Sequence, residues 1–288
     1  MTRPRFYVIM TVPLGSAHLL MLTGADAVSF AHGQFTSDVK SLTDHHWQWS
    51  AWLDPLGRAR DFFLLMRTGP DHLTAWLPLG GAVAMRDGLA RFVFRSAVKL
   101  ETPAGWTLRS IAPADLSTPL GARQVGSHQD GYCMVLPGPS PRVAWIAPNG
   151  DTQAASADLE RWRLDDIAAS LPLLAPELCG EFVPQALDLE RLDAIRFDKG
   201  CYPGQEIAAR LHFRGGNKRQ LQRLRVHGPA PSIGAVVLGG KGQPVGRVLY
   251  SATDSAESSM ALAVLTQTAS NELLTAVDSR AEILFSAQ

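Results

Sequence analysis

The chain has 288 residues, of which 46% are apolar and 19% charged, an ordinary globular composition with length enough for two or three core-bearing units. Lys plus Arg and Asp plus Glu both number 27, so the formal net charge is zero; this argues against a surface built throughout to grip nucleic acid or anionic membrane and leaves local basic patches open. Cys133, Cys179 and Cys201 are widely spaced with no Cys-x-x-Cys pair, which fits neither a disulfide framework nor a closed zinc site and suits a reducing, cytoplasmic setting.

Taken in chain order, Arg3 and Arg5 are soon followed by Pro13 and Gly15; this is no secretory pattern, and no apolar run reaches transmembrane length. Residues 18–22 read as a short buried strand, and Thr23-Gly24-Ala25-Asp26 as a turn with Asp26 capping the next helix. Trp47, Trp49, Ala51 and Leu53 alternate as in a strand. Asp54-Pro55-Leu56-Gly57 is a turn, with proline where a type I turn wants it. Strands are expected at 62–66 and 73–77, then a helix over 81–94 from the spacing of Val83, Leu89, Phe92 and Val93. Strands follow at 97–101, 106–111 and 143–146. Ser156 or Asp158 caps a helix running through Trp162 to Ser170. Strands mixed with single helices give an α+β class rather than a run of parallel βαβ units. Beyond about residue 220 the pattern is all-β: Leu224 and Val226 alternate with Arg223, Arg225 and His227, a hairpin turns at Gly239-Gly240-Lys241-Gly242, and strands fall at 261–265 and 281–285.

The stretch from Lys199 to Arg219 is the densest in chemistry: Lys199-Gly200-Cys201-Tyr202-Pro203-Gly204-Gln205-Glu206, then Phe213-Arg214-Gly215-Gly216-Asn217-Lys218-Arg219. Pro203 suits a first helical position. Glu206 falls in the first turn, where a carboxylate complements the helix dipole. Ile207 and Leu211 lie four apart on one stripe, and the paired glycines end the pattern. Cys201 thus sits just before a helix N-terminus and two residues after Lys199, both of which favour a thiolate. The plainer reading makes it a small core residue, as most free cysteines are.

This segment resembles the signature of the YgfZ-type folate-binding proteins, relatives of the glycine-cleavage T-protein. Lys199 to Glu206 matches the pattern Lys-Gly-Cys-Tyr-x-Gly-Gln-Glu at each fixed position. The likeness extends through Phe182-Val183-Pro184-Gln185, through Leu22-Thr23-Gly24-Ala25-Asp26 with Gly33-Gln34 and Asp38, and through the Asp-x-x-Gly-Arg hairpin at residues 54–65. It implies a T-protein-like ring of two intertwined α+β subdomains over residues 1–215, with an antiparallel β-barrel over 216–288. It also implies tetrahydrofolate as ligand and support for iron–sulfur cluster assembly or repair, with iron–sulfur client enzymes as partners and an indirect role in tRNA modification. Cys201 would be the reactive centre with Lys199 holding its thiolate, and Trp162 would stack on folate. Tyr202, Gln205, Glu206 and Arg214 would complete the site.

Folate needs hydrogen-bonding groups for its pterin edge, an aromatic or apolar wall for its rings and cations for its glutamate tail. Trp162 also reads as the buried anchor of an amphipathic helix. Where the family often has Ile-Glu-Ala-Gly, this chain has Ile167-Ala168-Ala169-Ser170, so Asp165 or Asp166 would have to supply the acid. An aromatic carried by some relatives falls at Ala17. Asp61 stands where the T-protein has an acidic pair; pairing with Arg58 or Arg60 is its simpler role. A folate-dependent aminomethyl or one-carbon transferase and an RNA-binding factor are the competing functions. The single acid and the Cys-Tyr-x-Gly-Gln-Glu motif weigh against the first. The second has only the basic run Arg210, Arg214, Lys218, Arg219, Arg223 and Arg225, which lacks the aromatic pattern of RNA recognition, so tight direct nucleic-acid binding is not expected. The histidines show no metal-ligand spacing. Cys133 and Cys179 are expected to be buried and apolar.

Overall fold

A computed structural model describes residues 11–116, 118–150, 152–271, 274–276 and 279–284. Two five-stranded antiparallel sheets face a shared core. The first contains β2 (His18–Thr23), β3 (His46–Leu53), β4 (Ala59–Gly69), β5 (His72–Leu77) and β6 (Lys99–Glu101), in the order β3-β4-β5-β2-β6. The second contains β1 (Thr11–Ser16), β7 (Trp106–Ile111), β8 (Val125–His128), β9 (Gly131–Leu136) and β10 (Arg142–Pro148), in the order β1-β7-β10-β9-β8.

The first sheet is buried on both faces, and its sequence says why. Trp47, Trp49, Ala51 and Leu53 point to one side of β3 and join Phe62, Leu64 and Met66 in the core shared with the second sheet. Trp52, Phe63 and Leu65 point to the other side, against α1 (Ala27–Gln34) and α2 (Ala82–Ala90). Side chains alternate along a strand, so both sets must be apolar when both faces are covered.

α3 (Ser156–Ala168) spans from the second sheet to the C-terminal strands, where the buried Tyr250 hydroxyl donates to Leu171 O at 2.7 Å. α4 (Gln205–Arg214) follows the signature loop. The C-terminal strands are β11 (Arg219–His227), β12 (Val236–Leu238), β13 (Pro244–Ser255), β14 (Ser258–Thr266), β15 (Leu274–Ala276) and β16 (Ser279–Leu284). They pair antiparallel in the order β11-β14-β13-β12-β15-β16, and β16 pairs in turn with β11, Leu224 facing Ile283.

Several expected boundaries shift. α4 begins at Gln205 behind Gly204, whose φ of 76° is left-handed, so Pro203 lies in the preceding turn rather than at the first helical position. Asp26 precedes α1 without capping it; its Oδ2 accepts from the Ala97 N–H at 2.6 Å and ties the helix start to the β6 approach. α3 starts after Ala155 with no side-chain cap from Ser156 or Asp158. α2 ends at Ala90, leaving Phe92 and Phe94 exposed, Phe94 at 90%. The strand expected from residue 97 begins at Lys99. Phe285 lies outside the described residues. β1, β8 and β9 carry no strong alternation and were not expected.

Candidate functional site

The signature loop is clamped at three points. Lys199 Nζ donates to the carbonyls of His32 and Phe35 at 2.6 Å and of Ser37 at 2.8 Å. These belong to the end of α1 and the turn after it, where helix carbonyls lack intrahelical partners and a cation is favoured. Burial pushes the Lys199 ammonium down to about 8, and the converging carbonyls oppose that push. Its Nζ also sits 4.9 Å from the centre of the Tyr202 ring. Tyr202 is buried, its hydroxyl donates to Arg196 O at 3.0 Å, and burial raises its phenol above the usual range. Gly204 packs on the tip of the β3–β4 hairpin so closely that a Cβ there would lie 2.4 Å from Asp54 O.

This geometry gives Lys199 a structural role that its place in the sequence did not show. Its three donors are spent on backbone carbonyls, so it fastens the loop to α1. Cys201 itself is exposed. Gln205 opens α4 with its N–H on Tyr202 O at 3.2 Å. Glu206 projects into solvent and pairs with Arg210 one turn on at 3.3 Å, and Arg214 is exposed at the far end of the helix. Lys199 and Tyr202 are thus brought together, while Glu206 and Arg214 face outward.

The remaining cysteines divide differently from expectation. Cys133 is buried, and burial pushes its thiol up to about 12. Cys179 is exposed, because the short helical turn Pro176–Leu178 leaves it on the surface beside the hairpin. Iodoacetamide should therefore modify Cys201 and Cys179 in the native protein and Cys133 only after unfolding. Peptide mass spectrometry with and without urea reads this; native labelling of Cys133 would contradict it.

Trp162 is a buried anchor, 7% exposed, in the shared core. The Arg142 guanidinium lies 4.4 Å over its ring and donates to Trp162 O at 2.9 Å. The same guanidinium ion-pairs with Asp166, which is 5% exposed and whose carboxyl burial pushes up to about 6. Asp166 is therefore committed inside the core. Asp165 lines a cleft between α3 and β13. Neither supplies the acid absent at Ala168. Asp61 also departs from expectation. It pairs with neither neighbour: Arg60 stacks 4.0 Å over Trp52, and Arg58 donates to Gly180 O at 3.3 Å. Its Oδ1 accepts from the Phe62 N–H at 3.0 Å, and burial holds its carboxyl well above the usual range.

A cavity of about 360 Å³ opens between the two sheets. Trp47 and Trp49 form its aromatic side, Leu136 and Pro137 its opposite side, and Arg123 and Arg191 stand at its edge. Trp47 Nε1 is buried and donates to no group among the described residues. Arg142 reaches this cavity from behind, donating twice to Pro137 O at 3.1 Å. The alternation of Trp47 and Trp49 signals that they share a face; only the fold shows that the face meets a cavity. Among the described residues, no group of three His, Cys, Asp or Glu side chains is placed to hold a metal ion, and no helix is long and apolar enough to cross a membrane.

Comparison with known proteins places these features. No family model matches the chain. It is 16% identical to the solved glycine cleavage system aminomethyltransferase T from Bartonella henselae, with a TM-score of 0.70 over 96% of this chain and 85% of that one, which establishes a shared fold of mixed sheets and helices. It is 28% identical to the tRNA-modifying protein YgfZ of Sodalis glossinidius, covering 74% of each chain. It is 30% identical to the tRNA-modifying protein YgfZ of Edwardsiella ictaluri over 226 residues, 71% of this chain and 67% of that one. At that identity and coverage, and with the signature from Lys199 to Glu206 intact, the chain belongs to the YgfZ family.

Proposed function

We propose that this chain is a folate-binding accessory protein that acts in the cytoplasm, supports iron–sulfur cluster assembly or repair, and through its client enzymes serves tRNA modification. The observation that carries this reading is the cavity walled by Trp47 and Trp49. Its volume of about 360 Å³ lies in the range of small-molecule sites. The tryptophans, 4% and 3% exposed, give the cavity an apolar aromatic side, and Arg123 and Arg191 at its edge, paired with Asp193 at 3.4 Å and Asp188 at 2.7 Å, would exchange those partners for a carboxylate tail. Trp162 supports the site from behind through Arg142 and Pro137. Bound tetrahydrofolate would supply a carrier for one-carbon groups. Cys201, exposed on a loop that Lys199 and Tyr202 hold in place, is the reactive centre in this reading, with Gln205 beside it. We further read residues 1–215 as the folate-binding part and 216–288 as a closed β-barrel.

Aminomethyl transfer is disfavoured because the Asp61 carboxyl is buried and already accepts a backbone N–H. Direct RNA binding gains no support from a chain of zero net charge.

Tetrahydrofolate titration followed by tryptophan fluorescence tests the cavity. Trp47→Leu removes the ring that lines the cavity, so affinity should fall by about 0.5–1.5 kcal/mol. Unchanged affinity would move the ligand elsewhere. Cys201→Ser should leave that affinity intact and fail to restore iron–sulfur enzyme activity in a deletion strain; full restoration would remove the thiol from the function.

A further inference from the structure

A second cleft, of about 520 Å³, lies where three segments meet: the β3–β4 hairpin, residues 181–186 and the start of β11. The hairpin is locked to its neighbour by the Ala59 N–H on Phe182 O at 2.7 Å and the Gly180 N–H on Ala59 O at 2.9 Å. Arg58 is thereby fixed beside Glu181. From the other side, Asn217 folds its side chain onto the Arg219 backbone, with Nδ2 donating to Arg219 O at 2.6 Å and Oδ1 accepting from Arg219 N at 3.1 Å. This brace sets the direction in which Lys218 and Arg219 leave the loop.

The lining is rich in donors and poor in acceptors. Arg58 spends one N–H on Gly180 O. Lys218 and Arg219 make no side-chain hydrogen bond or ion pair among the described residues. The one carboxylate of the lining, Glu181, is neutralised by Arg247, Nε to Oε1 at 2.8 Å. Three cations therefore face one space with no anion left to answer them. Phe182, Val183, Ala186 and Leu211 form its apolar floor. A recess of about 180 Å³, sharing Glu181, Phe182 and Arg219, runs on between Val236, Val245 and Val264 of the C-terminal strands. The two spaces together ask for a ligand with a dianionic head and a flat apolar body, since guanidinium forks match phosphate oxygens in pairs.

We propose that this cleft is a second binding site, separate from the tryptophan cavity, for a small phosphate ester bearing a ring system. Arg58, Lys218 and Arg219 hold the phosphate, and the ring enters the recess beside the valines.

Isothermal titration of the full chain with adenosine monophosphate, ribose 5-phosphate, adenosine and glutarate tests this. Adenosine monophosphate should bind most tightly, ribose 5-phosphate more weakly for want of the ring, and adenosine and glutarate more weakly still. The double variant K218Q/R219Q, altered only at exposed positions, should lose about tenfold or more in affinity for adenosine monophosphate. Its tetrahydrofolate titration should match that of the unaltered chain, which also verifies its fold. Three results would overturn the proposal: no adenosine monophosphate binding at about 1 mM, equal affinity in the double variant, or glutarate binding as tightly as the phosphate ester. Loss of folate binding in the unaltered chain would count against the folate reading alone.

Discussion

Replacing Arg142 with methionine should destabilise the fold by about 3–5 kcal/mol, the cost of breaking a buried ion pair by removing one partner. Few side chains here are so fully committed. Arg142 donates to Pro137 O, Trp162 O and Asp166, and covers the Trp162 ring. Methionine keeps much of the stem and removes the charge, leaving Asp166 buried without a partner. Burial already pushes that carboxyl up to about 6 against the pull of Arg142; without Arg142 it must rise further. A buried acid whose folded pKa exceeds its unfolded one binds more protons in the native state. Stability then falls as pH rises from the unfolded value through the folded one. The deficit of R142M should therefore be larger at pH 8 than at pH 5 in urea unfolding. Adding Asp166→Leu should recover much of the loss, because an apolar pair of similar volume is often no worse than the ion pair. A loss below about 1 kcal/mol at both pH values would show the pair to be ornamental. Pro137 lines the tryptophan cavity, so R142M should also weaken tetrahydrofolate binding in the protein that remains folded.

How much of this was legible depended on whether the signal was local. The alternation of Trp47, Trp49, Ala51 and Leu53 placed β3 and its core face, because strand period is a local property. Gly215 with φ of 71° ended α4 as the paired glycines implied. Local rules failed where a distant segment decided. Pro203 has the chemistry of a helix start, but the approach of Gly204 to Asp54 O moved the start to Gln205. Asp26 has the chemistry of a cap, but Ala97 took its carboxylate. Trp162 showed helical spacing compatible with either a ligand wall or an anchor, and only the fold shows Arg142, twenty residues upstream, lying over its ring. Nothing in the spacing of Arg58, Glu181 and Lys218 hinted that they line one cleft; long-range backbone bonds at Ala59 bring the first two together.

Lys199 carries the sharpest consequence of that long-range logic, and Lys199→Met should cost about 3 kcal/mol or more, from several charge-assisted hydrogen bonds of about 1.5–3 kcal/mol each that are not fully additive. The carbonyls of His32, Phe35 and Ser37 all converge on Nζ within 2.8 Å. Methionine retains the apolar stem against Tyr202 and leaves those oxygens facing a thioether. Lys199→Arg should not rescue the loss, because a planar fork cannot replace a compact ammonium at the meeting point of three acceptors. The two roles open to this residue separate cleanly in one pair of measurements. A lysine that serves the thiol would, when removed, slow iodoacetamide modification of Cys201 and leave the urea midpoint where it was. A lysine that clasps the loop to α1 lowers the midpoint, and any change in Cys201 labelling follows from loosening of the loop, visible as faster amide exchange at residues 199–204. We expect the second pattern, since each donor of the ammonium already has its acceptor and none is left to face the thiol.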